Sequence, residues 1–258
     1  MGGRRMIPAE LLHPGRPNLR ILESTGSTNQ EALAWAAAGA PHLSAVAADA
    51  QSAGRGRLDR AWHSPPGRNI YLSVVLRGEE AALRRAPWVG ALAARACVAR
   101  WLGEPVFIKW PNDILVRGRK VCGILAEGQT SPQPVAVLGL GINVNMAAGE
   151  FPSDLRQPAT SLKIIAGRDF SRGPLLAELI DEVGKVFSLA AREPGVLMDR
   201  VRQHCRTLGQ RVEVALAAGI LRGTAFGLDD DGALLVRDES GRTHAVLSGD
   251  VAHVRQAG

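Results

Sequence analysis

The chain has 258 residues, of which 46% are apolar and 22% charged, and its formal net charge is +6. These values exclude a largely disordered chain and indicate a globular protein of one or two domains. The excess of positive charge fits a phosphorylated or acidic partner, or simply a solvated surface. Three cysteines without C-x-x-C spacing and six scattered histidines disfavour disulfides and zinc, and predict a cytoplasmic protein. No stretch predicts a membrane span.

The N-terminal part predicts a loose leader followed by a helix. Residues 1–20 are rich in Pro, Gly and Arg. Thr28, with Glu31 three residues later, predicts a capping box at the start of an alanine-rich helix that Gly39 can end. The amides and hydroxyls at such a helix start can hold a carboxylate or an amide, or Ser27 and Thr28 can serve only as caps.

The segment 51–69 joins two predicted strands, 43–48 and 70–76. Because its ends are fixed in a sheet while its middle is rich in small and basic residues, the segment is typical of a lid that orders over a ligand. The alternative is a flexible basic surface loop.

Glycines and arginines alternate in this segment as Gly54-Arg55-Gly56-Arg57. The glycines allow a tight bend, and the two guanidinium groups can then reach one small volume and bind an anion. Trp62 follows five residues after Arg57 and can cover an aromatic or apolar ligand.

The middle of the chain predicts a helix and an antiparallel meander. Pro87 can open a helix that ends at Gly103. Short strands joined by tight turns follow at 106–110, 114–116, 121–127 and 135–143. In the last of these strands, Gly139 and Gly141 remove side chains where another group must approach the backbone.

A polar rim is predicted at one edge of this meander. Lys109 and Asp113 flank a Trp-Pro-Asn turn, and Lys120 follows seven residues after Asp113. If the strands pair, the two lysines can meet phosphate or carboxylate oxygens, while Asn112 and Asp113 can hold Mg²⁺ waters or a ribose. The alternative is an ordinary turn with surface lysines.

The C-terminal part predicts two helices, 174–192 and 196–206, and then short strands with glycine turns, which are typical of a small β barrel or sandwich. Residues 229–231 are three aspartates before a glycine, which favours a solvated hairpin turn over a cation site. The predicted domains are residues 1–207 and 208–258.

The absence of three well-known sequence motifs argues against three classes of enzyme. The chain has no G-x-x-x-x-G-K-[ST] loop, no G-x-G-x-x-G after its first strand and no G-x-S-x-G. A P-loop ATPase, a Rossmann dehydrogenase and an α/β hydrolase are therefore disfavoured. Arginines and lysines without an evident nucleophile favour catalysis by positioning and charge neutralisation.

Six motifs follow one another between residues 21 and 146: Ser27-Thr28-Asn29; Gln51 with Gly54-Arg55-Gly56-Arg57; Trp62; Lys109-Trp110-Pro111-Asn112-Asp113; Arg119-Lys120 with Gly123-Ile124-Leu125 and Glu127; and Gly139-Leu140-Gly141-Ile142-Asn143. In this order and spacing they resemble the biotin protein ligases.

The resemblance implies an α+β fold: a class II aminoacyl-tRNA-synthetase-like, biotin/lipoate ligase catalytic domain with a mixed, largely antiparallel sheet flanked by helices, and a small C-terminal SH3-like β barrel. It implies ATP-dependent attachment of biotin, through biotinoyl-5′-AMP and with Mg²⁺, to a lysine of a biotin carboxyl carrier protein. A monomer or a homodimer is expected. Because only 26 residues precede Ser27, we expect a ligase without the DNA-binding repressor domain and without specific DNA binding.

Roles are implied residue by residue. The biotin-binding residues would be Ser27, Thr28, Asn29, Gln51, Gly54, Arg55, Gly56, Arg57, Lys120 and Gly123. The nucleotide-binding residues would be Arg55, Arg57, Trp62, Lys109, Asn112, Asp113 and Asn143. Lys120, Arg55 and Arg57 would be catalytic. No direct protein cluster would hold a metal, and Mg²⁺ would arrive on the ATP phosphates, near Asp113.

One departure from the family pattern is Leu58-Asp59, where many relatives carry Arg-Gly or Leu-Gly. We expect Asp59 to pair with Arg60. The sequence also allows three other functions: a lipoate or other acyl ligase or transferase of the same fold, a basic nucleic-acid-binding module, and a biotin-binding protein without catalysis.

Overall fold

The structure is a computed structural model and describes residues 18–129, 134–216, 219–247 and 249–253. Most of the predicted leader therefore lies outside the described residues. Its end was wrongly predicted, because strand β1 already begins at Leu19 and pairs with β2 from there on.

A seven-stranded sheet organises the larger part of the chain, with strand order β1-β2-β3-β7-β6-β5-β4. The strands β1 and β2 are parallel, and every other pair in this sheet is antiparallel. This is the predicted mixed, largely antiparallel sheet. The strands are β1 (Leu19–Thr25), β2 (Ala45–Gln51), β3 (Ile70–Arg77), β4 (Val106–Lys109), β5 (Asp113–Val116), β6 (Arg119–Gln129) and β7 (Val135–Ile142). The predicted first buried strand, 43–48, is thus shifted toward its C-terminal end.

One face of this sheet carries the main hydrophobic core. The helices are α1 (Thr28–Ala37), α2 (Glu80–Arg84), α3 (Ala86–Leu102), α4 (Leu162–Ala166), α5 (Arg172–Arg192) and α6 (Pro194–His204). Helix α3 packs on β6, β7 and α5, and it ends at Gly103 in the left-handed conformation, φ +66°, as predicted. The predicted inward face of β3 is buried in this core; it consists of Ile70, Leu72, Val74 and Leu76. Each such side chain contributes about 1.5–3 kcal/mol by burial.

The opposite face is covered only in part. Helix α1 packs there on β2, β3 and β7, around a small cluster that includes Ala32, Val46, Val75 and Val137. Further along β7 the same face carries Gly139 and Gly141 instead of large side chains. The bare stretch of sheet beside helix α1 leaves room for a cavity.

A second, five-stranded antiparallel sheet follows the helices, in the order β11-β10-β9-β8-β12. Its strands are β8 (Arg211–Leu216), β9 (Gly219–Leu228), β10 (Leu234–Asp238), β11 (Thr243–Val246) and β12 (Asp250–His253). Strand β12 is missing from the sequence prediction. The predicted hairpin turn is confirmed, because Asp229 Oδ1 accepts hydrogen bonds from the backbone amides of Asp231 and Ala233.

Trp110 joins the two sheets. Its backbone amide donates to Thr207 Oγ1 at 3.0 Å, and its buried indole Nε1 donates to the carbonyl of Gly232 at 3.0 Å. The turn that carries Trp110 between β4 and β5 is therefore fixed to the C-terminal sheet. Among the described residues, no helix combines the length and the apolar character needed to cross a membrane.

Candidate active site

A cavity of about 830 Å³ lies on the α1 face of the large sheet, between residues 52–69 and the second sheet. Residues 52–69 join β2 to β3 and are called the lid below. The predicted site residues that line the cavity are Ser27, Thr28, Asn29, Gln51, Arg55, Gly56, Arg57, Trp62, Lys109, Asn112, Asp113, Lys120, Gly123 and Asn143. Gly54 does not line the cavity. It has a structural role, because a Cβ there would lie 2.6 Å from the carbonyl oxygen of Trp62.

Two glycines form the cavity floor beneath Trp62. Gly123 on β6 and Gly141 on β7 are register partners. A Cβ added at Gly141 would lie 2.6 Å from the Trp62 indole, and one at Gly123 would lie 2.8 Å from it. The predicted close approach to β7 is therefore made by the Trp62 side chain of the lid at Gly141, and by the Asn29 side chain of α1 at Gly139. The indole Nε1 is buried and has no hydrogen-bond partner among the described residues, which leaves a donor for a ligand.

Replacing Gly141 by alanine is expected to lower the free energy of unfolding by about 1–3 kcal/mol, because the added methyl group would overpack the contact with Trp62. Urea denaturation measures the change. Gly149→Ala is the control, since a Cβ there meets no atom within 4 Å. Equal stability of the two variants would contradict the packing of the lid on the floor.

The start of helix α1 differs from the predicted capping box. Ser27 is the N-cap residue and has extended backbone angles, and Thr28 is the first helical residue. Glu31 does not complete the box, because its carboxylate accepts a hydrogen bond from Thr25 Oγ1 at 2.8 Å. The prediction failed because Thr28 turns toward the cavity, where its backbone amide and its hydroxyl both donate to Gln51 Oε1.

Neutral polar groups therefore form one end of the cavity. Thr28, Asn29 and Ser73 are buried side by side, with Ser73 Oγ 2.8 Å from Thr28 Oγ1 and 2.6 Å from Asn29 Oδ1, to which it donates. Gln51 Nε2 donates to Ser64 Oγ at 3.0 Å. Sequence reasoning missed Ser73, although a lone serine in an otherwise apolar strand was an available signal.

The opposite end is cationic. Pairing of β4 with β5 places Lys109 opposite Asp113, and pairing of β5 with β6 brings Lys120 to the same edge, as the meander predicted. Lys120 Nζ lies 2.5 Å from Asp113 Oδ1, and Lys109 Nζ donates to Gln157 Oε1 at 2.9 Å. Lys120 is only 22% exposed, so it is a partly buried side chain and not a surface lysine.

Two other predicted residues support this cationic end through backbone carbonyls. Asn112 Nδ2 donates to the carbonyl of Ile124 at 2.9 Å, and the backbone amide of Ile124 donates to the Asn112 carbonyl. Asn143 Nδ2 donates to the carbonyl of Thr160 at 3.0 Å. These bonds hold the turn between β4 and β5 and the end of β7 at the cavity wall.

Burial lowers the pKa of Lys109, and it lowers the pKa of Arg57 although the carboxylates of Asp113 and Asp250 act in the opposite direction. The physical cause is the loss of water around a positive charge. A bound anion would offset this cost for both side chains. The cationic end is therefore suited to a negatively charged ligand.

The lid forms a short hairpin. The backbone amide of Gly56 donates to the Arg60 carbonyl at 2.7 Å, and that of Trp62 donates to the Gly54 carbonyl at 2.8 Å. At the tip, Leu58 and Asp59 have φ of +55° and +53°, and both are exposed. Positive φ is unfavourable for most residues but is tolerated by aspartate, so Leu58 is the strained residue of this tip and Asp59 fits it.

The expected pair between Asp59 and Arg60 is wrong. Arg60 instead donates two hydrogen bonds, of 3.2 and 2.6 Å, to Asp250 on β12. Arg156 Nη1 lies 3.6 Å from the same carboxylate, and Arg57 Nη1 donates to the carbonyl of Gly249. The hydrogen bond from Arg60 lowers the pKa of Asp250. The second sheet thus helps to hold the lid, through two residues that lie 190 positions apart in the sequence.

The base of the lid is fixed by a buried ion pair that sequence reasoning missed. Asp49 accepts hydrogen bonds from the backbone amide of Gly67 at 3.1 Å and from Arg172 Nη1 at 2.6 Å. Arg172 is fully buried and also donates to the carbonyl of Asn69. The loss of one partner would leave an uncompensated buried charge, so the pair is costly to break. Through Gly67 and Asn69 it holds the end of the lid next to Asp49, which lies just before the lid.

Two family models match the chain. The Biotin/lipoate A/B protein ligase family matches residues 21–145, and the Biotin protein ligase C terminal domain matches residues 207–254. The first range contains the lid and the large sheet apart from the first two residues of β1, and the second range contains the second sheet.

Similar proteins and structures agree with these matches. The chain is 36% identical over 250 residues to the biotin--[acetyl-CoA-carboxylase] ligase of Mycobacterium tuberculosis, covering 93% of this chain and 91% of the relative. It is 34% identical over 229 residues to the bifunctional ligase/repressor BirA of Bacillus subtilis, covering 86% and 69%.

Among solved structures, the biotin protein ligase of Aquifex aeolicus in complex with biotin and ATP matches with a TM-score of 0.79 and 29% identity, covering 93% of this chain and 100% of the other. The cavity described above lies within the region that these comparisons share. The chain therefore belongs to the biotin protein ligases, within the biotin/lipoate A/B protein ligase family.

Proposed function

We propose that this enzyme joins biotin to a lysine of a biotin carboxyl carrier protein at the expense of ATP. The observation that carries the proposal is one cavity with a neutral polar end at Thr28 and Gln51 and a cationic end at Lys109 and Lys120. Biotin has the matching shape, because a neutral ureido ring is linked by an apolar chain to a carboxylate.

The first step joins two anions. The biotin carboxylate oxygen attacks the α-phosphorus of ATP, the bond to the β-phosphate oxygen breaks, and pyrophosphate leaves with biotinoyl-AMP as the other product. Lys120 and the lid arginines Arg55 and Arg57 offset the repulsion between the reactants and the charge that develops at phosphorus. Lys120 pairs with Asp113, which holds its ammonium group at the cationic end, and Arg55 pairs with Glu127, which holds its guanidinium group beside the cavity.

The second step forms the amide. The neutral amine of the carrier lysine attacks the carbonyl carbon of the mixed anhydride, the bond to the phosphate oxygen breaks, and AMP leaves. The intermediate must be kept from water until the carrier arrives. The lid hairpin, held by Asp250 on one side and by the Gly141 floor through Trp62 on the other, is placed to exclude water.

The remaining roles extend this proposal. Ser27, Asn29, Gly56 and Gly123 would contact biotin, and Trp62, Asn112 and Asn143 the nucleotide; Gly54, which does not line the cavity, would act only through the lid turn. Mg²⁺ fits as an ion carried by the ATP phosphates, since Asp113 contributes a single carboxylate, and no group of three or more metal-ligating side chains occurs in the described ranges. When bound, Mg²⁺ neutralises phosphate charge.

The setting of the enzyme is also proposed. The division at residues 207 and 208 is supported by the change from helix α6 to antiparallel strands. Three buried cysteines, each a free thiol, support a reducing cytoplasm. A monomer or a homodimer is proposed; strand β1 lies at an edge of the large sheet, where a second chain can pair. We propose no specific DNA target, and steeply salt-dependent, sequence-specific DNA binding would contradict this.

The test is the mass of a carrier domain after incubation with the enzyme, MgATP and either biotin or lipoate. We expect the mass of one biotinoyl group on one lysine, with release of pyrophosphate and AMP. A lipoyl group without a biotinoyl group would contradict the choice of substrate. Biotin binding without pyrophosphate release would indicate a binding protein without catalysis.

A further inference from the structure

Glu127 holds a lid residue and a residue of the neutral end of the cavity with one carboxylate. Its Oε1 accepts a hydrogen bond from Arg55 Nη2 at 2.9 Å, and its Oε2 accepts one from Asn29 Nδ2 at 2.7 Å. The side chain lies on β6 and is 26% exposed, so both bonds are partly shielded from water. Arg55 Nε is buried without a partner among the described residues. The contact with Glu127 therefore fixes the direction of the Arg55 guanidinium.

These two bonds complete a chain of hydrogen bonds that begins and ends on the lid. From Arg55 it passes through Glu127 and Asn29 to the buried Ser73, which lies next to Thr28. Thr28 continues it to Gln51, Gln51 to Ser64, and Ser64 Oγ donates to the backbone carbonyl of Trp62 at 2.8 Å. The neutral end of the cavity and both arms of the lid hairpin are thus one connected network.

The two hydrogen bonds made by residue 127 require a carboxylate there. Both partners of Glu127 are donors, and an ionised carboxylate offers an acceptor oxygen to each of them. A glutamine of the same size offers one acceptor and one donor. While Asn29 Oδ1 accepts from Ser73, Asn29 presents only its Nδ2 donor to residue 127, so the glutamine can satisfy Arg55 or Asn29 but not both. The unsatisfied partner would face another N–H group, which is costly in a partly buried site.

We propose, on the basis of the proposed function, that Glu127 is a positioning residue that sets Asn29 for the ureido ring of biotin and Arg55 for the adenylate at the same time. It touches neither reacting atom. Through Asn29 it controls the affinity for biotin, and through Arg55 it controls how long biotinoyl-AMP is retained. Loss of the carboxylate breaks the link between Arg55 on the lid and Asn29 at the neutral end of the cavity.

The test compares Glu127→Gln with the wild-type enzyme and with Glu104→Gln. Glu104 forms a similar ion pair with Arg117 outside the cavity and is 27% exposed, so its variant controls for the loss of a glutamate–arginine pair. We expect Glu127→Gln to raise the KM for biotin about tenfold and to speed the dissociation of preformed biotinoyl-AMP about tenfold, with kcat for pyrophosphate release within about threefold of wild type, as the loss of one hydrogen bond to a charged group predicts. Glu104→Gln should leave all three values unchanged.

A swap of amide and carboxylate separates positioning from a purely structural role. In Asn29→Asp with Glu127→Gln, the new glutamine donates to the new aspartate and accepts from Arg55, so both bonds of residue 127 are restored, while the longer bond from Asn29 Nδ2 to the Leu125 carbonyl, 3.4 Å, is lost. Retention of biotinoyl-AMP should return to the wild-type value, while the KM for biotin stays raised because residue 29 itself has changed. If Glu127→Gln alone is too unstable to assay, the double variant is compared with Asn29→Asp alone. The double variant should then retain biotinoyl-AMP longer than Asn29→Asp.

The outcomes separate the two proposals. A wild-type enzyme that releases no pyrophosphate with biotin and MgATP would contradict the proposed function. An active wild type with an unchanged Glu127→Gln, or a double variant that still loses biotinoyl-AMP at the rate of the single variant, would overturn the role of Glu127 alone.

Discussion

Replacing Lys120 by alanine is expected to slow the formation of biotinoyl-AMP by about 10²–10³-fold, the range measured when one preorganised donor to a developing charge is removed. In the proposed mechanism Lys120 offsets the charge that develops at phosphorus, and its ammonium group lies 5.1 Å from the centre of the Trp62 ring. The rate of pyrophosphate release with biotin and MgATP measures the effect.

The fold should survive this change. Lys120 is held by its backbone, whose amide donates to the Pro158 carbonyl and whose carbonyl accepts from the Thr160 amide, and both bonds remain in the variant. Loss of the pair with Asp113 should cost about 1–2 kcal/mol of unfolding free energy, more than a fully exposed pair, because both side chains are mostly shielded.

Lys163→Ala is the matched control for Lys120→Ala. Lys163 pairs with Asp169 at 2.9 Å, is more exposed, and lies on α4. This variant should release pyrophosphate at the wild-type rate. Lys120→Arg, which keeps the charge but changes its geometry, should recover only part of the activity. An unchanged rate in Lys120→Ala would refute the role assigned to Lys120.

The part of the site that local patterns determine was predictable from the sequence. The meander around the Trp-Pro-Asn turn has short strands and tight connections, so pairing follows from the chain itself and brings Lys109, Asp113 and Lys120 together. The glycines at 139 and 141 likewise predicted a close approach to the backbone. The approaching groups, Asn29 at Gly139 and Trp62 at Gly141, could not be predicted, because tertiary packing brings helix α1 and the lid onto β7.

The contacts that depend on long-range packing were not predictable. Asp250 pairs with Arg60 only because the second sheet docks beside the lid, and strand β12, which carries Asp250, has no strong local pattern. The same reason explains the error at Asp59: neighbours in sequence were expected to pair, but the left-handed backbone at the hairpin tip leaves Asp59 exposed while Arg60 reaches Asp250. Thr28 failed as a cap because a tertiary partner, Gln51, competes for its hydroxyl.

Arg57→Ala is expected to release biotinoyl-AMP about 10–100-fold faster than the wild type, as the loss of a charge-assisted hydrogen bond of 1.5–3 kcal/mol predicts. Arg57 lines the cavity, is partly buried near Asp113 and Asp250, and ties the lid to the second sheet through the Gly249 carbonyl. Its removal takes away a cation of the adenylate site and a contact that closes the lid. The dissociation rate of preformed biotinoyl-AMP measures the effect.

Free biotinoyl-AMP should then label lysines without selection, and the composition of the chain decides how to observe this. The enzyme has four lysines, two of which, Lys109 and Lys120, are engaged in the cavity. Self-labelling is therefore a weak signal, and an added lysine-rich protein is the better trap. Arg84→Ala, which removes an exposed i,i+4 pair with Glu80 on α2, should show neither leakage nor labelling. Retention of the intermediate in Arg57→Ala as long as in the wild type would show that the lid closes without this arginine.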